Sequence, residues 1–376
     1  MRDALGKEPE TPGQRGEQRR GPRSFASSRG PGRLRPVTPG RFDDERVVVA
    51  CAADEEYAMP LAAMLASLSE RIDPARAVSV YVLDGGLTAE SRGRLAQSLQ
   101  KDTVELCWVD VESSALESLP VWGRMSATTY TRLLLPMLLP PSIDRVIWLD
   151  CDLIVHADLA ALWSCPLEGS QALAVQDMIV PYVSYPDGIA HYAALGLERQ
   201  AGYFNAGVML VNLERWRTDD VPTRVLDYLH TYREDIVYWD QEGLNAVLAG
   251  DWGALDPRWN QNAGVAGRSY YRPEHLDGET YRRVVEDPWI IHFSGNLKPW
   301  MLHDTSDPAR ALYFDYLDLT PWAGWRPRRT LWSSIVGRYE TSGLRNLLYP
   351  AEKRGLMLVR RWGLWRTREA RTRRVA

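Results

Sequence analysis

Runs of apolar residues alternate with amphipathic stretches through the first half of the chain. The apolar runs are typical of strands buried on both faces of a parallel sheet. They are residues 47–52, 78–83, 104–109 and 145–149. The stretches between them have helical patterns, at residues 57–68, 88–99 (with Thr88 as the predicted N-cap) and 128–135. This alternation predicts an α/β fold built from parallel βαβ units.

The pattern is less regular beyond residue 152. Strand-like segments follow at residues 172–175, 207–212 and 289–293, and helix-like segments at 222–232 and 241–248. Long loops rich in Trp, Tyr, Pro and Gly separate these segments. Loops of that length in a compact domain usually carry function.

The two ends of the chain differ in composition from the middle. Residues 1–44 are rich in Gly, Pro, Arg, Ser and Glu and are predicted to be disordered, before a folded domain at 45–325. Residues 326–376 are predicted to form a basic, helical tail, with nine Lys and Arg against one Glu from Lys353 onward and with Trp362 and Trp365 among them. This mixture favours contact with an anionic membrane surface, and the alternative is a solvated basic tail.

Composition narrows the classes of function. The 376 residues carry a formal net charge of −4, which argues against a nucleic-acid partner. We find neither an apolar run of about 18 residues nor an N-terminal signal pattern. The four cysteines form no Cys-x-x-Cys pair, which favours free thiols in a reducing compartment. We therefore expect a cytoplasmic protein, peripheral on the cytoplasmic face of the membrane if the tail binds lipid.

Two segments carry candidate metal ligands. Asp150 and Asp152 directly follow the apolar run at 145–149, at the end of a strand where open α/β sheets bind ligands. Both carboxylates can reach one hard divalent cation that bridges to a diphosphate, although a strand-end turn with two solvated carboxylates is the alternative. His292 lies in the last apolar run. Alone it is more typical of a core residue, but paired with the carboxylates it favours Mn²⁺ over Mg²⁺ or Ca²⁺.

Five blocks occur in an order that resembles glycosyltransferase family 8, which includes bacterial lipopolysaccharide galactosyl- and glucosyltransferases and glycogenin. The blocks are Ala52-Ala53-Asp54, Tyr130-Thr131-Arg132-Leu133, Trp148-Leu149-Asp150-Cys151-Asp152, Phe204-Asn205-Ala206-Gly207-Val208 and the run from His292 through Gly295 and Lys298 to Trp300. The resemblance implies a GT-A fold, in which helices flank a mixed, mostly parallel nucleotide-binding sheet. It also implies a retaining transferase that moves glucose or galactose from a UDP-sugar to a glycan or glycolipid, with Mn²⁺ or, as second choice, Mg²⁺.

The resemblance also implies a role for each matching residue. The metal ligands would be Asp150, Asp152 and His292. The uridine would meet Ala52 and Asp54, the donor sugar would lie against Arg132, Asp177, Asn205 and Ala206, and the diphosphate against Gly295 and Lys298. Asp240 and Gln241 would flank the anomeric carbon. Two positions depart from the family pattern, because Glu56 replaces a common Asn and Glu242 replaces a common Asp.

Two mechanisms and several functions remain as alternatives. Attack from the leaving-group face, supported by the Gln241 carbonyl, is favoured over double displacement through Asp240 or Glu242. A phosphatase of the haloacid dehalogenase type would carry Asp-x-Asp after its first strand rather than its fourth. A nicotinamide dehydrogenase would need a glycine-rich turn after the first strand, where this chain has none. A non-catalytic UDP-sugar or carbohydrate-binding protein on the same fold remains the alternative.

Overall fold

The computed structural model describes residues 46–111, 127–264, 273–294, 298–301 and 308–328. Ten strands form two sheets in this part of the chain. They are β1 Val47–Ala53, β2 Val78–Asp84, β3 Val104–Asp110, β4 Arg145–Leu149, β5 Leu153–Val155, β6 Ala172–Gln176, β7 Phe204–Asn212, β8 Trp252–Ala254, β9 Gln261–Asn262 and β10 Ile290–His292.

Nine α-helices and four 3-10 helices accompany the strands within the described residues. The α-helices are α1 Ala58–Arg71, α2 Ala89–Ala96, α3 Leu135–Leu138, α4 Leu159–Trp163, α5 Leu213–Thr218, α6 Val221–Thr231, α7 Trp239–Leu248, α8 Gly278–Glu286 and α9 Pro308–Leu317. The 3-10 helices are Glu55–Tyr57, Ala127–Leu134, Pro257–Asn260 and Pro299–Met301. None of the described helices is long and apolar enough to span a bilayer.

The larger sheet has seven strands in the order β3-β2-β1-β4-β7-β6-β8. Strands β1 to β4 run parallel to one another, and β6 and β8 are also parallel. Strand β7 is antiparallel to both of its neighbours, β4 and β6. The first residues of β7 therefore lie at the end of the sheet that holds the carboxyl ends of β1 and β4. The smaller sheet, β5-β10-β9, brings the last strand beside the residues that follow β4.

Apolar side chains fill both faces of the larger sheet. One core cluster packs α1 against β1, β2 and β4, with Leu61, Leu65 and Leu68 fully buried. A second cluster packs α6 and α7 against the other face, around Trp216 and Tyr228. This arrangement confirms the predicted α/β class and its mostly parallel sheet.

The predicted strands match the observed ones closely, and the helices differ at their ends. The helix predicted at 128–135 is a 3-10 helix that passes into the short α3, where Pro136 stands in the first turn and removes a hydrogen-bond donor. The helix predicted at 88–99 ends at Ala96, and Thr88 caps it as predicted by accepting a hydrogen bond from Ser91 N at 3.1 Å. The predicted N-terminal segment 1–44, and the tail beyond residue 328, lie outside the described residues.

Candidate functional site

The candidate site lies at one end of the strands of the large sheet, where β1 and β4 end and β7 begins. Backbone contacts fix these three strand ends against one another. Asp150 N donates to the Gly207 carbonyl at 2.9 Å, and Cys151 Sγ lies 2.9 Å from the Ala52 carbonyl. The predicted nucleotide and metal segments are therefore neighbours.

Asp150, Asp152 and His292 meet at this end of the sheet. One ligand atom from each lies within 4.8 Å of the others. His292 Nε2 is 3.3 Å from Asp152 Oδ1 and 3.9 Å from Asp150 Oδ2. Strand β10 positions His292 because it pairs antiparallel with β5, so that His292 stands opposite Leu153, next to Asp152 in the chain.

Each carboxylate of this triad has one oxygen bound by a neighbouring donor or cation. Trp148 Nε1 donates to Asp150 Oδ1 at 2.8 Å, and Arg132 Nη2 approaches the same oxygen at 3.2 Å. Lys298 Nζ pairs with Asp152 Oδ2 and also donates to the Phe293 carbonyl at 2.7 Å. The other oxygens, Asp150 Oδ2 and Asp152 Oδ1, face His292 Nε2.

The charge of Asp152 is strongly favoured in this setting. Burial alone raises the pKa of the Asp152 carboxyl, but the Lys298 ammonium group beside it opposes this rise, and the pKa falls below its ordinary range. The carboxylate therefore stays ionised at neutral pH and keeps its lone pairs for a cation.

A chain of hydrogen bonds sets the orientation of His292. His292 Nδ1 lies 2.9 Å from Asn260 Oδ1, and Asn260 Nδ2 donates to Asn205 Oδ1 at 2.9 Å. Asn205 Nδ2 in turn donates to Asp177 Oδ2 at 2.9 Å. Because Asp177 can only accept, this order assigns the proton of the neutral imidazole to Nδ1 and leaves the Nε2 lone pair facing the carboxylates. That tautomer is the one a metal ligand requires.

Gly207 makes room for the imidazole. A Cβ atom at this position would lie 2.2 Å from His292 Cε1 and 3.0 Å from Asp150 Oδ2. The backbone of β7 thus approaches the triad more closely than any side chain would permit.

Arg132 and Asp240 form a buried pair beside the triad. Arg132 Nε is 2.7 Å from Asp240 Oδ2, although the two groups are not aligned as a hydrogen bond, and Arg132 Nη1 donates to the Ala206 carbonyl. Burial raises the pKa of Asp240 to about 6, and Arg132 partly offsets this rise. Arg132 therefore lies between Asp150 and Asp240 and links the metal end of the site to the start of α7.

Gln241 and Asp177 meet on the other side of Ala206. Gln241 Oε1 accepts from Ala206 N at 3.0 Å, and Gln241 Nε2 lies 3.5 Å from Asp177 Oδ2. Asp177 Oδ1 accepts from the backbone N–H groups of Ile179 and Val180. The predicted sugar-binding residues are therefore adjacent and held by one network.

The predicted uridine contacts lie at the end of β1. Asp54 caps the 3-10 helix that follows and accepts from Tyr57 N at 3.2 Å, while Glu56 is exposed. The half-buried Tyr57 ring packs edge-on against Trp300 with the ring centroids 6.0 Å apart. Gly295, the other predicted diphosphate contact, lies outside the described residues.

Three features of the site were not predicted from the sequence. Asn260 orients His292, Gly207 admits its ring, and the Tyr57 ring borders the end of β1. Asn260 and Gly207 act through contacts between distant segments, as does the packing of Tyr57 against Trp300, and no local pattern signals these contacts. Gly207 belongs to one of the five matching blocks, but its spatial role becomes visible only in the fold.

Known proteins resemble this chain over most of its length. Residues 48–303 match Glycosyl transferase family 8. General stress protein A of Bacillus subtilis (strain 168) is 30% identical over 285 residues, covering 75% of this chain and 96% of that protein. Glycosyltransferase GlyF of Streptococcus pneumoniae is 27% identical over 274 residues, covering 73% of this chain and 62% of that protein.

A solved structure shares the fold. The galactosyltransferase LgtC, in complex with donor and acceptor sugar analogues, matches with a TM-score of 0.61 at 26% identity, over 73% of this chain and 96% of that chain. This likeness confirms the predicted GT-A fold. Together with the family match over residues 48–303, it shows that the chain belongs to glycosyltransferase family 8.

Proposed function

We propose that this glycosyltransferase is a retaining, Mn²⁺-dependent enzyme that transfers glucose or galactose from a UDP-sugar to a glycan or glycolipid acceptor. The observation that carries the proposal is the pair of inward-facing carboxylate oxygens opposite Nε2 of His292. Two carboxylates and one imidazole are a ligand set that suits Mn²⁺.

The residues present fit such an ion. The series of side-chain hydrogen bonds from Asp177 to Asn260 orients His292 as a ligand, and the absence of a side chain at Gly207 leaves space for the imidazole ring. Asp150, Asp152 and His292 would hold the cation. When bound, it supplies positive charge that stabilises the diphosphate leaving group. Mg²⁺ is the second choice, since it prefers an all-oxygen set.

The protein side chains have separate tasks in the proposed reaction. Lys298, beside Asp152, binds the diphosphate as charge develops on it, together with Gly295 as proposed from the family pattern. Asp177, Asn205 and Ala206 hold the donor sugar, while Ala52 and Asp54 meet the uridine. Arg132 keeps Asp240 ionised and in place at the reacting side.

The group transfer itself takes place beside Gln241. The bond from the anomeric carbon to the diphosphate oxygen breaks, the acceptor oxygen bonds to that carbon from the same face, and the acceptor proton leaves with UDP. The Gln241 carbonyl dipole supports the positive charge on the carbon. Gln241 lies within contact of Ala206 N and Asp177, so that its amide is fixed before the sugar arrives.

The first experiment measures UDP release by the purified protein with a panel of UDP-sugars, with and without Mn²⁺. We expect slow, Mn²⁺-dependent hydrolysis of one donor, and a loss of about a hundredfold or more in Asp152→Asn because the leaving group then lacks its cation. Glu286→Gln is the matched control, since Glu286 is an exposed carboxylate of α8 paired with Arg282.

The outcomes separate the alternatives. Release that persists without a divalent metal, or in Asp152→Asn, would contradict the proposed metal site. Mn²⁺-dependent UDP binding without turnover, even with added glycan acceptors, would favour a non-catalytic sugar-nucleotide-binding protein.

A further inference from the structure

Glu242 has a buried carboxylate that the proposed reaction does not use. Its side chain is almost fully buried. Oε2 accepts from Val237 N at 2.7 Å and from Tyr238 N at 3.2 Å, and Oε1 accepts from Tyr228 Oη at 3.0 Å. One carboxylate therefore joins α6, the segment before α7 and the first turn of α7.

The close approach of α6 and α7 makes these contacts possible. Gly243 faces α6, and a Cβ atom there would lie 2.8 Å from Val225 Cγ1 and 3.2 Å from Leu229 Cγ. Because Gly243 has no side chain, α6 comes near enough for Tyr228 to reach Glu242. The position next to Glu242 in the chain thus supports the same arrangement.

The segment that Glu242 binds has a strained backbone. Trp239 adopts φ = 45°, a left-handed conformation that is unfavourable for a bulky residue. It directly precedes Asp240 and Gln241, so this turn decides where those two side chains point. A strained turn persists only when surrounding contacts hold it. The hydrogen bonds from Val237 N and Tyr238 N to Glu242 lie immediately before it.

We propose that Glu242 is a positioning residue, which reaches back from α7 to hold the Trp239 turn and thereby places Asp240 and Gln241 against the donor sugar. The inference rests on the proposed function for its effect on turnover. A glutamate side chain is required rather than the shorter aspartate, because the carboxylate must reach from α7 back to the N–H groups of Val237 and Tyr238. This reach gives a physical reason for Glu242 at a position where the family pattern commonly has Asp.

The alternative role for Glu242 is that of a nucleophile in double displacement. Both of its oxygens already accept hydrogen bonds, Oε1 from Tyr228 of α6 and Oε2 from the backbone before α7. Burial raises the pKa of Glu242 to about 7, so a neutral side chain of the same shape is compatible with the site. A glutamine can accept from Val237 N and Tyr238 N with its oxygen and donate to Tyr228 Oη with its nitrogen.

The test compares Glu242→Ala, Glu242→Asp and Glu242→Gln in the full chain. The first readout is amide hydrogen exchange of the peptide that contains Val237 and Tyr238. The second is UDP release with the preferred donor, analysed as kcat and KM. Glu234→Ala is the matched control, because Glu234 is an exposed residue of the same segment.

In Glu242→Ala we expect faster amide exchange at Val237 and Tyr238. We also expect kcat to fall by about tenfold to a hundredfold and KM to change less than twofold, because misplaced Asp240 and Gln241 slow the reaction without weakening nucleotide binding. Glu242→Gln is expected to retain both exchange protection and most of kcat, and Glu242→Asp to behave like Glu242→Ala.

Two results would overturn the proposal. Unchanged amide exchange in Glu242→Ala would mean that Glu242 does not hold the turn. A loss of about a thousandfold in kcat for Glu242→Gln with normal exchange would point to a reacting carboxylate. If the wild-type chain releases no UDP, the proposed function fails separately, and the exchange comparison alone decides whether Glu242 fixes the segment.

Discussion

Single residues decide whether the candidate site can hold a cation. His292 is useful as a ligand only because its ring has space beside Gly207 and a partner in Asn260. Sequence patterns locate Asp150, Asp152 and His292, since they follow or lie within apolar strands. They do not reveal the contacts that orient these side chains, because Asn260 and Gly207 come from segments far apart in the chain.

The smallest informative change is Gly207→Ala. The added Cβ would overlap His292 Cε1, so the ring must turn away from Asp150 and Asp152. We expect Mn²⁺ affinity in the presence of UDP to fall by about tenfold or more, as measured by electron paramagnetic resonance titration. Gly93→Ala, in α2, is the control because a Cβ there meets nothing within 4 Å. Equal Mn²⁺ affinity in Gly207→Ala and wild type would contradict this account of the packing.

Glu242 also gives a prediction about stability and pH. Burial raises its pKa from 4.5 to about 7, so the folded state holds the proton more tightly than the unfolded chain. The stabilisation from this proton is complete below pH 4.5 and is lost as the pH rises through 7. At pH 8, Glu242→Gln should therefore raise the free energy of unfolding by up to about 3 kcal/mol, and by less at pH 5. Denaturant titrations at both pH values measure this difference, and equal gains would show that the carboxyl does not titrate as described.

At the scale of elements, the strands were predicted better than their connections. The apolar runs that form β1, β2, β3 and β4 were recognised with boundaries within one residue, because both faces of each strand contribute to the core. Strands β5 and β8 have three residues each, too few for a periodic pattern. Helix α8 was not predicted, since Val284 is its one buried residue and most of its surface is polar.

The 3-10 helix Pro257–Asn260 illustrates how a short element controls the site. It ends with Asn260, whose amide joins His292 to Asn205. In Asn260→Ala the imidazole loses the acceptor that fixes its proton on Nδ1. We expect ¹⁵N NMR of the metal-free, histidine-labelled protein to report one His292 tautomer in the wild type and a mixture in the variant. His292→Gln identifies the resonance, and an unchanged spectrum in Asn260→Ala would exclude this role.

At the scale of the whole molecule, we propose that the catalytic core and the basic tail have separable tasks. The tail beyond Tyr349 lies outside the described residues, and its proposed membrane contact rests on composition. Basic residues near an anionic surface contribute about 1 kcal/mol each, and from Lys353 onward the chain has nine Lys and Arg.

Removing the residues after Tyr349 should therefore abolish binding to vesicles that contain phosphatidylserine, while donor hydrolysis remains. Co-sedimentation measures the binding, and phosphatidylcholine vesicles are the control for non-specific adsorption. Vesicle binding that survives the truncation would contradict the membrane role, and the tail would then be a solvated basic segment.

The order of the strands along the chain has a consequence for the order of folding. The chain between β4 and β7 is shorter than the chain between β1 and β4, and the chain between β5 and β10 is the longest of the three. Pairings between distant segments form late, because a long loop must close first. Gly207 of β7 can thus reach Asp150 while His292 of β10 is still unpaired. Acquisition of Mn²⁺ during refolding would then mark the arrival of β10 and provide a clock for that step.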